Sequence, residues 1–348
     1  MICSECARER RSTVFFYRCV GEYYRMSLPK TRLAAEDSGL ANAISSRTAH
    51  IVHLTHNDLD AVGADAVHRI AYGTGDVFTV WSSVGKFPGL FSLIASAKGR
   101  GDILSISDLG FHRDCEAIAA KARSNGWKVQ WRDHHRWRED EVTKIRSLVD
   151  LLHIDMTRCA TGIVAIDLVP ESPLAGEISR IVCDYDLWKN ADPRSAVLGQ
   201  VLQRKKNREH VRDCLVTGKY TDELIEREYR EIKTEMDTMM ARSLRHITIA
   251  GTKYRIAFAP LYGYPSETAH YIREQKKTDI EVIIGKDGKF SIRSVPPVSH
   301  LIAREFGGGG HPNAAGGSFN FSAVERFTWW LFKKSRHFPE FVKIAEVY

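Results

Sequence analysis

The chain has 348 residues, 43% hydrophobic and 27% charged, which is long enough for two domains of ordinary size and excludes fibrous and disordered classes. No apolar run approaches the roughly 18 residues of a membrane span, and no charged-then-apolar leader opens the chain, so a cytoplasmic protein without membrane contact is expected. The net charge of +7 favours an anionic partner, and the seven scattered cysteines read as reduced thiols rather than a disulfide framework.

Residues 1–45 read as a loosely ordered N-terminal extension with one short helix over 30–44. Cys3-Ser-Glu-Cys6 within it is a lone CxxC without a second pair at zinc spacing. From His50 onward, short apolar runs alternate with helix-length amphipathic segments, the pattern of βαβ units and a largely parallel sheet. Strands are expected at 50–55, 76–81, 102–107, 128–131 and 149–154. Helices are expected at 61–72, 88–98 and 113–125, then at 161–168, 174–183, 194–204 and 208–216. This is a doubly wound, mainly parallel α/β domain over 46–216.

The segment 221–244 has Ile225, Tyr229, Ile232, Met236 and Met239 at helical spacing, a stripe that reads as core packing on a linker helix spanning 217–245. Beyond it, strands at 246–250, 253–259, 279–284 and 289–295 alternate with helices at 266–277, 298–306 and from 322. They make a second, smaller α/β domain with a mixed sheet over 246–348.

Chemistry gathers at strand ends. His56-Asn-Asp58-Leu-Asp60 closes the first strand, Asp108 the third, and Asp133-His134-His135 the fourth. In an open α/β sheet the carboxyl ends of neighbouring strands face one crevice, so these acids and imidazoles can meet as a metal-holding cluster. Carboxylates and imidazoles without thiolate favour Mn²⁺, Mg²⁺ or Fe²⁺ over a structural zinc. Arg158 and Thr161 enter a helix where amides could hold an anion, although ordinary capping explains them as well. His50, His53 and His68 read as strand or helix-face residues, and the basic run 203–208 as a solvated face. In the second domain, Gly307, Gly308, Gly309 and Gly310 strip side chains from the backbone ahead of His311, so amides and an imidazole can approach a phosphate. Arg293 ends a strand with a guanidinium suited to the same anion.

The ordered set of His56-x-Asp58-x-Asp60, Asp108, Asp133-His134-His135, an aspartate in Cys183-Asp184-Tyr-Asp186-Leu-Trp188, and Gly307 to His311 resembles the DHH-family phosphoesterases with their associated C-terminal domain. The tight first motif is most similar to the oligoribonuclease and cyclic-nucleotide phosphodiesterase branch. The resemblance implies two divalent ions, with Mn²⁺ foremost. His56 and Asp58 would bind one, Asp60, His134 and Asp184 the other, and Asp108 would bridge. Asp184 is preferred because it directly follows an apolar run, leaving Asp186 to structural work. His135 would face the substrate, oriented by Asp133, while Arg293 and the Gly307–His311 loop would bind it from the second domain. The implied substrate is short single-stranded RNA, with cyclic or linear dinucleotides, pAp and, further off, pyrophosphate as alternatives. A nucleotide sensor is the non-enzyme alternative, and a homodimer stays open.

Overall fold

The computed structural model describes residues 30–348. The Cys3/Cys6 pair and the rest of 1–29 lie outside the described residues. The expected short helix is present as α1 (Lys30–Ser46).

Five parallel strands follow: β1 (Ile51–Thr55), β2 (Val77–Trp81), β3 (Ile103–Ser107), β4 (Lys128–Asp133) and β5 (Leu151–Ile154), in the spatial order β2-β1-β3-β4-β5. Every residue of β1 is buried, as expected of a parallel strand covered on both faces. Its one ionisable side chain, His53, is paired within the core, with Nδ1 2.8 Å from Asp65 Oδ1 and Nε2 2.7 Å from Ser107 Oγ. His68 is likewise structural, its Nε2 lying 2.8 Å from Ser105 Oγ.

The intervening helices are α2 (Leu59–Tyr72), α3 (Phe87–Ser96), α4 (Cys115–Ser124) and α5 (Glu139–Arg146). After β5 come α6 (Ala160–Leu168), α7 (Pro173–Asp186), α8 (Pro193–Val201) and α9 (Arg208–Val216). One apolar cluster joins α2 to α6, α7, α8 and α9, and another packs α3 and α4 with the strands around Trp131. The unpredicted α5 is mostly charged and buries only Ile145, so its apolar periodicity is too thin to read.

The cysteine reading needs correction. Cys159 and Cys183 are disulfide-bonded, with Cα atoms 5.1 Å apart, whereas Cys115 and Cys214 are free and buried. The pair is made by the packing of α6 on α7, which the spacing of cysteines along the sequence does not reveal.

α10 (Glu223–Arg245) starts at the N-cap Asp222 and buries Ile225, Ile232, Met236 and Met240. It packs against α8 on one side and α11 (Pro265–Lys276) on the other, and so links the two halves. The second sheet contains β6 (Thr248–Ala250), β7 (Ile256–Pro260), β8 (Ile280–Ile284), β9 (Lys289–Ser294), β10 (Gly309–His311) and β11 (Ala314–Ser318). Its order is β10-β11-β9-β8-β7-β6, with β7 and β8 parallel and the other neighbours antiparallel. α12 (Ser299–Glu305), α13 (Ala323–Phe332) and α14 (His337–Ala345) complete it. The glycine segment is thus not a free loop: Gly309–His311 is an edge strand, a pairing that glycine-rich sequence conceals.

Candidate metal centre and cleft

The backbone brings the predicted side chains together at the carboxyl ends of β1, β3 and β4. Asp58 caps α2, its Oδ1 accepting from Ala61 N at 3.1 Å, and this leaves Oδ2 2.7 Å from His56 Nδ1. Asp108 follows β3 in the left-handed region at φ 56°, a conformation Asp tolerates better than most side chains. Its carboxylate is buried, with Oδ1 3.3 Å from His134 Nε2 and Oδ2 3.6 Å from His56 Nδ1. Asp108 therefore stands between the two imidazoles.

Asp60 is buried and held by the start of α6: Ala160 N donates to its Oδ2 at 2.6 Å and Thr161 N to its Oδ1 at 2.7 Å. The helix start near Thr161 does hold an anion, and that anion is the protein's own carboxylate. Asp60 Oδ2 is also 3.8 Å from His134 Nε2. The other face of His134 meets Asp186, with Nδ1 3.5 Å from Oδ2.

The expectation placed Asp184 in this cluster, whereas the structure brings Asp186 there. Asp184 accepts from Ala191 N and Asp192 N, each at 3.0 Å, and from Ser195 Oγ at 2.6 Å. Its oxygens hold the turn from α7 into α8, while Asp186, two residues on, joins Asp60 and His134. Either acid satisfies the motif, and the turn that consumes Asp184 is a tertiary feature.

The electrostatics of this cluster fit a cation. Burial, then the charges of Asp58 and Asp60, push the Asp108 carboxyl well above the usual range, against the pull of His56. Burial and Asp60 push Asp186 up to about 8, with His134 opposing and Asp108 and Asp58 adding to the rise. Asp108 Oδ2 and Asp186 Oδ2 are both buried and have no hydrogen-bond partner among the described residues. Crowded carboxylates with orphan oxygens are costly unless a positive charge joins them. Three tight groupings are available to it: His56 with Asp58 and Asp108, Asp60 with His134 and Asp186, and Asp108 with His134 and His135.

Asp133 lies behind His135. It is fully buried, its Oδ1 lies 2.7 Å from His135 Nδ1, and its Oδ2 accepts from Trp137 Nε1 at 2.7 Å. Trp137 escapes the sequence reading; an aromatic four residues beyond an acid carries no distinctive signal. Burial lowers the His135 pKa most, but the hydrogen bond to Asp133 and the charges of Asp133 and Asp108 together outweigh it and leave the imidazole raised.

The second sheet meets this centre through His311, whose ring centroid lies 6.0 Å from that of His135. Burial, together with the charges of His135, His134 and Arg293, holds His311 below its ordinary range. Arg293 on β9 pairs in register with Ala314 of β11, and its Nη2 donates to Ser266 Oγ at 2.6 Å. Gly307 and Gly310 have positive φ, and a Cβ on Gly308 would collide with the Gly316 carbonyl. Gly309 has open space around it and faces solvent. Of the predicted substrate-binding residues, His311 on the edge strand β10 lies beside the acidic centre, while Arg293 sits two strands further in, on β9.

No protein-family profile and no curated protein sequence matches the chain. Solved structures do. The DHH domain of a member of a ribosomal-protein family aligns at TM-score 0.57 and 16% identity, over 91% of this chain and 90% of that one. RecJ from Thermus thermophilus in complex with Mn²⁺ aligns at TM-score 0.53 and 14% identity, over 90% of this chain and 54% of RecJ. The pGpG-specific phosphodiesterase of Vibrio cholerae aligns at TM-score 0.51 and 11% identity, over 81% of this chain and 98% of that one. The parallel five-stranded sheet, the linking helix and the mixed second sheet are thus a fold that this chain shares with these solved structures, a DHH domain among them.

Proposed function

We propose that the protein is a metal-dependent phosphodiesterase that hydrolyses short single-stranded oligoribonucleotides to mononucleotides. The observation that carries this reading is the convergence of Asp58, Asp60, Asp108 and Asp186 with His56, His134 and His135 at one end of a parallel sheet, opposite His311. His56, Asp58 and Asp108 would hold one divalent ion and Asp60, His134 and Asp186 the other, with Asp108 shared. When bound, such a pair neutralises phosphoryl oxygens and lowers the cost of making a nucleophile from water near neutral pH. Mn²⁺ suits this hard, mixed donor set, as do Mg²⁺ and Fe²⁺.

The protein's own groups supply the rest. His135, whose protonated form the neighbouring Asp133 favours, is suited to donate a proton to the departing oxygen. His311, the amides of the Gly307–Gly310 segment and Arg293 would bind the far end of the substrate, so that a short strand lies between the centre and the second sheet. The neighbours named above include a protein bound to Mn²⁺ and a phosphodiesterase specific for the linear dinucleotide pGpG, both consistent with a small phosphodiester and a divalent ion.

The test is an assay of purified protein with Mn²⁺ against labelled RNA of two to about twenty nucleotides, cyclic dinucleotides, pAp and pyrophosphate. Fastest turnover of the shortest RNAs, abolished by chelator, is expected. Preference for pyrophosphate, or full activity after metal stripping, would overturn the reading.

A further inference from the structure

His210, Cys214 and Asp222 form a tight ligand cluster that the proposed phosphodiesterase centre does not use. His210 and Cys214 are one helical turn apart on α9 and therefore share a face. Asp222 caps α10: its Oδ1 accepts from Ile225 N at 2.8 Å, which fixes Oδ2 2.6 Å from His210 Nε2 and 3.5 Å from Cys214 Sγ. The remaining edge, Sγ to Nε2, is 3.6 Å.

We infer that these three side chains form a zinc-type site, in which thiolate, imidazole and carboxylate hold one divalent ion between α9 and the start of α10, with water as the fourth ligand. Ligand bonds of about 2.3 Å to sulfur and about 2.0–2.1 Å to nitrogen or oxygen imply tetrahedral edges of roughly 3.6 Å to sulfur. Both edges to Cys214 already have that length, at 3.5 and 3.6 Å. Only the His210–Asp222 pair must open, as the ion replaces the hydrogen bond. The thiol proton leaves to solvent, and one thiolate with one carboxylate balances the divalent charge, so no net charge is left in a partly buried place. Cys214 is buried while His210 and Asp222 are about a third exposed, which gives ion and water a way in. Thiolate also separates this site from the cleft, whose donors are carboxylate and imidazole.

Cobalt(II) titration of the full chain in excess Mg²⁺ tests the assignment. A near-ultraviolet thiolate-to-cobalt band is expected, lost in Cys214→Ser and in His210→Gln, and kept in a Cys3→Ser/Cys6→Ser double variant. Zn²⁺ should raise the Tm of the wild type by several degrees and leave that of Cys214→Ser unmoved. Circular dichroism checks that each variant is folded. If Cys214→Ser does not fold, the partly exposed His210→Gln and the cap-retaining Asp222→Asn decide in its place. Absence of the band in folded wild type, its survival in these variants, or its loss only in the Cys3/Cys6 variant would overturn the site and leave a hydrogen-bonded helix cap.

Discussion

Asp184 and Asp186 sit two residues apart and are held in opposite ways. Asp184 has three hydrogen-bond donors and no need of a cation, whereas Asp186 has a buried oxygen with none. Asp186→Asn should therefore weaken Mn²⁺ binding and cut turnover by about 100-fold or more while the fold is kept. Asp184→Ala strands the Ala191 and Asp192 amides and should lower stability by about 3 kcal/mol. Melting curves beside Mn²⁺-dependent rates separate the two; equal loss of metal affinity in both variants would restore Asp184 as a ligand. Across the cleft, His311→Ala should raise KM for short RNA about tenfold, for the loss of one contact worth roughly 1.5–3 kcal/mol. A chromogenic phosphodiester too small to reach His311 should be cut almost as before. Equal loss on both substrates, with the melting curve intact, would move His311 into the chemistry.

The glycine hairpin makes a prediction for a whole element. Gly308 packs against the Gly316 carbonyl and Gly310 has φ 142°, so alanine at either forces the β10–β11 pairing apart at a cost of about 1–3 kcal/mol. Gly309 has room for a methyl group, so Gly309→Ala should melt like the wild type and lose affinity only if its amide approaches the substrate. A fall in Tm for Gly309→Ala equal to that of Gly308→Ala would contradict this packing. The same hairpin shows where the sequence ceases to be legible. Buried strands such as β1 and β3 show in the sequence as short, largely apolar runs, and the acids that follow them fit the geometry of a parallel sheet. Glycines carry no such periodicity, so the residues of β10 read as a loop. Asp58, Asp60 and Asp108 are legible because each lies at a strand end. The Asp186 assignment, the Trp137 bond to Asp133 and the Cys159–Cys183 bond all depend on contacts that only the folded chain creates.

For the molecule as a whole, crowding of carboxylates sets a pH dependence. Unfolded, Asp186 would lose its proton near pH ~4. Folded without metal, it keeps the proton until about pH 8. Between those values the unfolded chain binds fewer protons than the folded one, so stability of the metal-free protein should fall as pH rises from about 4 to about 8. A bound divalent ion would supply the missing charge and should flatten that slope. Melts at several pH values with Mn²⁺ or chelator check it, and parallel slopes would show that these acids do not bind the ion. A last consequence follows from β10 being an exposed edge strand of three residues. The grip of the second sheet would come from peptide amides, the His311 imidazole and the Arg293 guanidinium, all placed to meet phosphate rather than the edges of bases. Such an enzyme would be a scavenger without preference: the sixteen ribodinucleotides should be consumed at rates within about tenfold of one another, a spread set by stacking and not by readout.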